Sequence, residues 1–289
     1  MIKILITGAN GQLGSEIRKI SGIFTEMDFC FTDVAELDIT SSEKVGEFFS
    51  GFKPDFLVNC AAYTAVDKAE TDLETATLLN ATAVGILAAE SAEIGCKMIH
   101  ISTDYVFNGN GPKPYKEDDL PDPQSAYGKT KLEGEILCLK NNTESLVIRT
   151  SWLYSAFGNN FVKTMIRLGT ERPELKIVFD QIGSPTNAAD LAKAILTIIS
   201  SVKCGNAKFI PGIYHYSNEG VASWYDFTKA IFDIAQISCN VKPIASEEYP
   251  SPTPRPAYSV MNKSKIKLIF GLQIPHWRDS LNEYFHEKK

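Results

Sequence analysis

The amino-acid sequence predicts an α/β protein, built on a doubly wound parallel sheet with a smaller C-terminal lobe. Strand-like and helix-like segments alternate through the first 150 residues, as in a parallel sheet covered by crossover helices. The first strand leads directly into a glycine-rich turn and a helix. Beyond Thr150 this regular alternation ends, and aromatic residues and prolines become more frequent. The second half is therefore expected to build the lobe that binds a substrate.

The predicted strands of the sheet are apolar runs, at residues 3–7, 28–32, 56–60, 98–102 and 146–150. Helices are expected between them at residues 11–20, 42–49, 72–94 and 126–140. Right-handed crossovers would place ligands at the carboxyl ends of these strands. Segments 176–178 and 212–215 resemble further strands that could rejoin the main sheet.

The predicted division is a Rossmann domain at residues 1–150, which later segments around 163–215 rejoin. A discontinuous substrate-binding lobe would be built from residues 151–162 and 216–289. At 289 residues the chain is at the upper edge for a single core. Residues 249–257 carry a proline at every second position and are expected to be extended.

Composition argues against several classes of protein. The chain has 29 basic and 35 acidic side chains, a net charge of −6 and no long basic run, so nucleic acid is not expected as a partner. The first apolar run has no basic n-region or cleavage site and no apolar stretch reaches membrane length, so we expect no signal peptide, no membrane partner and a cytoplasmic location. The six cysteines and four histidines show no metal-ligand spacing.

The glycine turn carries the first functional signal. Gly8, Gly11 and Gly14 form a GxxGxxG variant of the dinucleotide fingerprint, between a strand and a helix whose N–H groups can hold a pyrophosphate. Asp33 follows the second strand, nineteen residues after Gly14, close to the ~20-residue offset at which a carboxylate binds a ribose hydroxyl. That role would tolerate NADH and disfavour the 2′-phosphate of NADPH, but Asp33 could equally cap a turn, so the cofactor preference stays open.

A possible proton-transfer pair lies in the fourth helix. Tyr127 and Lys131 have i, i+4 spacing and so share one helical face. A ketone that accepts a hydride becomes an alkoxide, for which Tyr127 is the candidate acid. Lys131 could favour the phenolate and hydrogen-bond the nicotinamide ribose. Thr103 or Ser102, at a strand end, would orient the carbonyl oxygen or merely cap the strand. Asn80 could bridge backbone groups behind the site or cap a helix.

Several sequence blocks together resemble the dTDP-4-dehydrorhamnose reductase family of extended short-chain dehydrogenases. They are TGxxGxxG at residues 7–14, NCAAYTAVDKAE at 59–70, STDYVFNG at 102–109, YGKTK at 127–131 and RTSWLY at 149–154. The resemblance runs from the first strand to the C-terminal helix. It implies NADPH- or NADH-dependent reduction of the C4 ketone of dTDP-4-dehydro-L-rhamnose to dTDP-L-rhamnose, a precursor of cell-surface polysaccharide.

The resemblance also implies roles for individual residues. The catalytic trio would be Thr103, Tyr127 and Lys131. Thr103, Asp104 and Trp152 would contact the sugar, and Arg255 could bind a pyrophosphate bidentately. With the glycine turn included, the candidate cofactor-binding residues are Gly8, Asn10, Gly11, Gln12, Leu13, Gly14, Asp33, Asp38, Ile39, Ala61, Ala62, Tyr63, Thr64, Ser102, Tyr127 and Lys131.

The chain departs from the family at a metal site. Some members hold Mg²⁺ at a dimer contact through three glutamates, which Glu16 and Glu283 match, but Ala189 occupies the third position. A hard cation that lacks one carboxylate ligand binds more weakly. We therefore do not expect an Mg²⁺-bridged dimer; Glu16 and Glu283 could still be metal ligands or could be surface charges, and a homodimer remains open.

Two other functions share these features. A nucleotide-sugar 4-epimerase has the same trio and fold, whereas a dehydratase usually adds a Glu after Thr-Asp, where this chain has Tyr105. A non-catalytic subunit, similar to the partner of methionine adenosyltransferase, would keep the cofactor site. The intact trio, with Asp104 and Trp152, argues against that subunit.

Overall fold

The structure is a computed structural model that describes residues 1–249 and 251–286. Its strands are β1 (Ile2–Thr7), β2 (Met27–Thr32), β3 (Phe56–Asn59), β4 (Lys97–Thr103), β5 (Ser145–Thr150), β6 (Leu153–Tyr154), β7 (Glu174–Val178), β8 (Ile182–Gly183), β9 (Thr186–Asn187), β10 (Gly212–His215), β11 (Ala222–Ser223) and β12 (Asn240–Ile244). Its α-helices are α1 (Gln12–Ile20), α2 (Ser42–Phe52), α3 (Val66–Ala69), α4 (Leu73–Thr77), α5 (Ala83–Glu93), α6 (Ala126–Asn141), α7 (Phe161–Glu171), α8 (Ala188–Lys203), α9 (Trp224–Ala235), α10 (Ser264–Phe270) and α11 (Trp277–His286).

Six strands form one sheet in the order β10-β5-β4-β3-β1-β2, and every pairing in it is parallel. The order reverses between β1 and β3, which makes their carboxyl ends the switch point at which such sheets bind ligands. The predicted fold class is confirmed.

Both faces of the sheet are covered, because alternate residues of each strand point to opposite sides. Ile4 and Ile6 pack in a core with α1 and α8, whereas Leu5 packs in a second core with α2, α5 and α6. A third, aromatic core lies between α7, α9 and α11 in the second half of the chain.

The five predicted strands match the observed ones to within one residue at each end. The helix predicted at 72–94 is wrong in one respect, since it is interrupted by a π-helical turn at Leu78–Thr82. Within that turn the Asn80 side chain binds the backbone of Tyr63 instead of capping a helix. The short helix α3 was not predicted.

The two further strand-like segments belong to different sheets. Residues 212–215 form β10 at the edge of the main sheet, beside β5. Residues 176–178 do not rejoin that sheet, because β7 pairs with β12 in a separate two-stranded sheet. Helix α8 contributes to the core of the main sheet, although it follows Thr150. The domain boundaries themselves stay a prediction.

The proline-rich segment contains neither helix nor strand over residues 251–257, and Pro250 lies outside the described residues. Throughout residues 1–249 and 251–286, the helices are too short or too polar to cross a membrane.

Candidate active site

The glycine turn between β1 and α1 is packed so closely that it requires glycine. Gly8 has φ +65°, and a Cβ on it would lie 2.5 Å from the backbone nitrogen of Ala61. A Cβ on Gly14 would lie 2.6 Å from the Gly8 carbonyl oxygen. The turn therefore lies against the residues that follow β3, next to the predicted Ala62, Tyr63 and Thr64. This bare backbone at a helix N-terminus fits a dinucleotide pyrophosphate.

The acidic candidates beside the turn already have backbone partners. Asp33 accepts hydrogen bonds from the backbone N–H groups of Asn10 and Val34, each at 2.9 Å. Asp38 accepts from the backbone and hydroxyl of Thr40, which lowers the pKa of this carboxyl. Both therefore support their own turns, and roles at the cofactor remain predictions for each.

Two other cofactor candidates are hydrophobic and buried. Leu13 and Ile39 are 4% and 7% exposed and belong to the two cores of the sheet. Their side chains are occupied with packing, so only their backbones could line a dinucleotide.

Tyr127, Thr103 and Asp104 meet where β4 ends and α6 begins. The Thr103 hydroxyl donates to Asp104 Oδ1 at 3.0 Å and is hydrogen-bonded to the Tyr127 phenol. Burial raises the pKa of Tyr127 above its usual value, although the Thr103 hydrogen bond opposes this shift. Burial also raises the pKa of Asp104 to about 6. Asp104 Oδ2 is buried and meets no geometric hydrogen-bond criterion within the described residues, although the Ser259 hydroxyl lies close enough to act on this carboxyl.

Lys131 is almost fully buried one helical turn after Tyr127. Its Nζ donates to the Ile101 carbonyl oxygen at 2.6 Å and lies 3.5 Å from His100 Nε2. Burial lowers the pKa of Lys131 to about 8, although Glu135, Cys138 and Cys60 act in the opposite direction. The amine is thus anchored to strand β4.

Ser102 and Thr103 have different environments, because they are neighbours in a strand and point to opposite faces. The Ser102 hydroxyl donates to Glu135 Oε1 at 2.5 Å. Glu135 also forms a buried, bidentate ion pair with Arg149, at 2.7 Å from Nη2 and 2.9 Å from Nε. Of the two candidate hydroxyls, Thr103 is therefore the one at the Tyr127 phenol. The hydrogen bond of Ser102 does not support its predicted contact with the cofactor.

Asn80 bridges backbone groups, which was one of its two predicted roles. Its Oδ1 accepts from Tyr63 N at 2.8 Å, and its Nδ2 donates to Tyr63 O and to the Thr130 hydroxyl. A Cβ on Gly134 would lie 2.0 Å from the Asn80 carbonyl oxygen, so α6 packs directly on this turn. Asn80 thereby connects the loop after β3 to the helix that carries Tyr127.

The candidate sugar-binding side is aromatic. Trp152 adopts a left-handed backbone conformation, φ +49°, and its ring stacks on Trp224 with centroids 3.5 Å apart and planes 7° apart. A Cβ on Gly183 would lie 2.6 Å from the Trp152 ring. This packing fixes the orientation of a half-buried indole that would otherwise have several rotamers.

Arg255 reaches this side from the proline-rich segment. Its Nη2 donates to Asp67 at 2.6 Å and its Nη1 to the Tyr105 hydroxyl at 3.1 Å. The Tyr105 ring in turn contacts Tyr127 edge-on, with centroids 5.5 Å apart. The guanidinium is therefore close to the reactive residues, and a carboxylate already occupies it.

The two glutamates considered for a metal differ in their environments. Glu283 is exposed, but Glu16 is only 2% exposed, so its assignment as a surface charge is wrong. Glu16 Oε1 accepts from the Ser155 hydroxyl at 2.7 Å and from Ala156 N, which ties α1 to the loop after β6. Ala189 supplies no ligand. Within the described parts of the chain, no group of three His, Cys, Asp or Glu side chains could hold a metal ion. These residues do not fit a three-carboxylate Mg²⁺ site.

Four polar residues that support the site are not evident from the sequence patterns. They are Asn59, His100, Glu135 and Arg149, all buried. Three of them interrupt or end apolar strands, which was an available signal, because an uncompensated polar group is costly there. Glu135 follows Lys131 by one helical turn and so shares its face.

Comparison with known proteins identifies the family. Residues 2–289 match the family described as RmlD substrate binding domain. The chain is 43% identical to the spore coat polysaccharide biosynthesis protein SpsK of Bacillus subtilis, over 100% of this chain and 98% of that protein. It is 38% identical to dTDP-4-dehydrorhamnose reductase of Escherichia coli K12, over 99% and 98% of the two chains.

Solved structures agree with this result. The NADP complex of dTDP-4-dehydrorhamnose reductase from Bacillus anthracis superposes with a TM-score of 0.94 at 41% identity, over 99% of this chain and 100% of that one. A dTDP-4-dehydrorhamnose reductase from Clostridium acetobutylicum has a TM-score of 0.93 at 45% identity, over 99% of both chains. The chain therefore belongs to the RmlD family of dTDP-4-dehydrorhamnose reductases.

Proposed function

We propose that this protein uses NADPH or NADH to reduce the C4 ketone of dTDP-4-dehydro-L-rhamnose, giving dTDP-L-rhamnose. The observation that carries the proposal is the buried cluster of Thr103, Asp104 and Tyr127 at the carboxyl end of β4, on the same edge of the sheet as the glycine turn. Membership of the reductase family over almost the whole chain supports it. The other partner of the enzyme is then a dTDP-sugar, and a homodimer stays a prediction.

The chain's own residues suit the cofactor. The glycine turn would hold its pyrophosphate, and Lys131, anchored by Ile101, would hold its nicotinamide ribose. When bound, the cofactor supplies a hydride to the C4 carbon. The closed packing around Tyr127 and Lys131, 9% and 1% exposed, excludes bulk water from the reacting groups.

Tyr127 supplies the proton. The raised pKa of its buried phenol keeps the proton on oxygen until negative charge develops on the substrate oxygen. The Thr103 hydroxyl, which lies between Tyr127 and Asp104, orients that oxygen. After the transfer, the Thr103 hydroxyl would turn its hydrogen from Asp104 to the phenolate, and the positive charge of Lys131, one helical turn along α6, would add to the stabilisation.

The remaining site residues would hold the nucleotide sugar. Asp104, next to Thr103, would bind a sugar hydroxyl, and its pKa of about 6 lets it accept or donate a hydrogen bond near neutral pH. The Trp152 ring, backed by Trp224, gives the sugar an apolar surface. Arg255 has the planar fork that suits a diphosphate.

The test is an assay of the purified chain with dTDP-4-dehydro-L-rhamnose and each nicotinamide cofactor. We expect stoichiometric loss of the reduced-cofactor absorbance. Tyr127→Phe should reduce kcat by roughly 10²- to 10⁴-fold while cofactor binding is retained, because only the proton donor is removed. Tyr214→Phe, which removes a buried hydroxyl that donates to the Ile210 carbonyl oxygen beside the edge strand β10, is the control and should keep its activity.

Two outcomes would contradict the proposal. Folded protein that does not oxidise either cofactor with this substrate is not this reductase. Conversion of a nucleotide sugar without net cofactor consumption, with the 4-hydroxyl retained in the product, would indicate the 4-epimerase instead.

A further inference from the structure

A row of buried polar side chains crosses the sheet behind the proposed site. Thr7, Asn59 and His100 are register partners on β1, β3 and β4, so they point to the same face. Thr7 Oγ1 donates to Asn59 Oδ1 at 2.8 Å, and Asn59 Nδ2 lies 3.1 Å from His100 Nδ1. The other ring nitrogen of His100, Nε2, lies 3.5 Å from Lys131 Nζ. The row thus ends at a residue of the proposed catalytic trio.

The orientation of the Asn59 amide is fixed by a backbone group. Ala61 N–H donates to Asn59 Oδ1 at 3.1 Å, and a backbone N–H can only donate. The oxygen of the amide must therefore face Ala61 and Thr7. Its NH₂ group must face His100.

The amide in turn fixes the tautomer of His100. Asn59 Nδ2 is a donor, so His100 Nδ1 must accept and cannot carry a hydrogen. The ring is completely buried, and burial lowers its pKa well below the usual value, so it is neutral. A neutral imidazole with a bare Nδ1 carries its single hydrogen on Nε2, the atom that faces Lys131.

An N–H group that faces Nζ discriminates between the two charge states of a lysine. An ammonium has no lone pair, so the two donors oppose each other, whereas a neutral amine can accept from the ring N–H. We propose that His100 is a positioning residue whose ring N–H, locked in place by Ala61 and Asn59, favours the neutral amine of Lys131 over its ammonium.

The other groups around Lys131 were considered for the same effect. Glu135 and Cys138 lie on its own helix, and Cys60 follows β3; all three favour the ammonium. The Ile101 carbonyl oxygen on β4 accepts a hydrogen bond from either form. Glu135 is already engaged by Arg149 and Ser102, which reduces its effect. Burial lowers the pKa of Lys131 to about 8, and the ring N–H of His100, which faces Nζ at 3.5 Å, acts in the same direction.

The consequence for activity rests on the proposed function. If the ammonium of Lys131 supports the Tyr127 phenolate, activity falls as pH rises through the pKa of Lys131. Removal of the His100 N–H raises that pKa, so the alkaline fall in kcat/KM should move to higher pH. Tyr127 itself, with its pKa raised, cannot cause a fall near pH 8.

The first test observes the tautomer directly, in free enzyme without substrate. The ¹⁵N shifts of the His100 ring, assigned by comparison with His100→Phe, should show a bare Nδ1 and a protonated Nε2 from about pH 6 to about pH 9, where an ordinary histidine titrates. A protonated Nδ1, or a ring that becomes an imidazolium in this range, would overturn the proposal.

The second test follows the titration of Lys131 through its ¹³Cε shift, also in free enzyme. His100→Phe should raise the pKa of Lys131 by about one pH unit, a tenfold change in proton affinity. Asn59→Asp should raise it too and should move the ring hydrogen of His100 to Nδ1, because a carboxylate requires Nδ1–H and so converts Nε2 into an acceptor for Lys131. A rise in the pKa without this change in the ¹⁵N shifts would come from the added charge alone and would count against the proposal. This nearly isosteric variant keeps the test decisive if His100→Phe fails to fold.

The control is His215→Phe, since His215 is also buried in the sheet, on β10, but interacts with Arg149 and Phe107. It should leave the Lys131 titration unchanged. An unchanged Lys131 pKa in both test variants would refute the proposal. Because neither measurement uses a sugar, an inactive enzyme with the expected titrations would refute the reductase function alone.

Discussion

At the scale of single residues, Asp33 shows how one carboxylate can serve two of its predicted roles. Its two oxygens hold the glycine turn and the following turn through Asn10 and Val34. Its negative charge nevertheless remains at the strand end where the ribose of a dinucleotide would lie. The hydrogen bonds from Asn10 and Val34 therefore leave in place the repulsion that we expect between Asp33 and the 2′-phosphate of NADPH.

Replacing that charge tests the second role. Asp33→Asn keeps an oxygen for the Asn10 N–H but removes the repulsion of a 2′-phosphate. Two unit charges at 4 Å in water interact by about 1 kcal/mol. We expect the ratio of NADPH to NADH affinity to rise roughly fivefold, measured by quenching of protein fluorescence. Glu43→Gln, at an exposed site on α2, is the matched control. An unchanged ratio would mean that Asp33 only supports the turn.

The reactive residues could be predicted from sequence, and their supporting residues could not. Tyr127 and Lys131 can be recognised as a pair because residues i and i+4 of one helix lie on the same face. His100 and Asn59 meet only because β3 and β4 pair in a particular register, which no local pattern specifies. The tautomer of His100 depends further on the backbone of Ala61, a third segment.

At the scale of secondary-structure elements, the Glu135–Arg149 ion pair joins helix α6 to strand β5. Both side chains are 1% exposed, and Glu135 also accepts from Ser102 on β4. A buried ion pair contributes little net stability in itself, but the loss of one partner leaves an uncompensated charge. The pair therefore holds the helix of Tyr127 and Lys131 against the strand of Thr103.

We expect Glu135→Gln to lower the free energy of unfolding by about 3 to 5 kcal/mol, because Arg149 would stay buried without its counter-charge. Urea denaturation followed by circular dichroism measures this change. Glu144→Gln removes a partner of Lys97 in a pair that is 48% and 31% exposed. The Glu144→Gln substitution should lower the free energy of unfolding by less than about 1 kcal/mol. Equal effects of the two substitutions would contradict the role assigned to the buried pair.

Prediction of the elements succeeded where burial on both faces makes a strand continuously apolar, as in β1 to β5. It failed at β7, since an apolar run shows that a strand exists but not which strand pairs with it. It also missed the π-helical turn at Leu78–Thr82, whose Asn80 side chain bonds to a loop seventeen residues earlier, a contact that no local pattern specifies.

At the scale of the whole molecule, the site is completed by contacts between distant parts of the chain. Glu16 on α1 binds Ser155, 139 residues later, and Asn160 binds Gln12 across 148 residues. Arg255 binds Asp67 across 188 residues. Composition and periodicity carry no information about such pairs. The sequence could therefore indicate some of these residues individually, but not which partner each one contacts. The Arg255 contact also affects ligand binding.

Asp67 forms an ion pair with the guanidinium of Arg255, the group that we propose binds the diphosphate of the substrate. The two side chains are 48% and 28% exposed, so this ion pair is worth at most about 1 kcal/mol. A diphosphate that binds Arg255 must first displace the carboxylate and remain near its charge. Asp67 therefore weakens binding modestly, and it holds Arg255 beside Tyr105 until the ligand arrives.

Asp67→Asn should therefore raise the affinity for dTDP about two- to fivefold, as the loss of up to about 1 kcal/mol of competition implies. Isothermal titration calorimetry on the free enzyme measures this affinity. The same substitution in an Arg255→Gln background should have no effect, because the competition exists only while the guanidinium is present. A gain of equal size in both backgrounds would show that Asp67 acts through general charge repulsion and not by occupying Arg255.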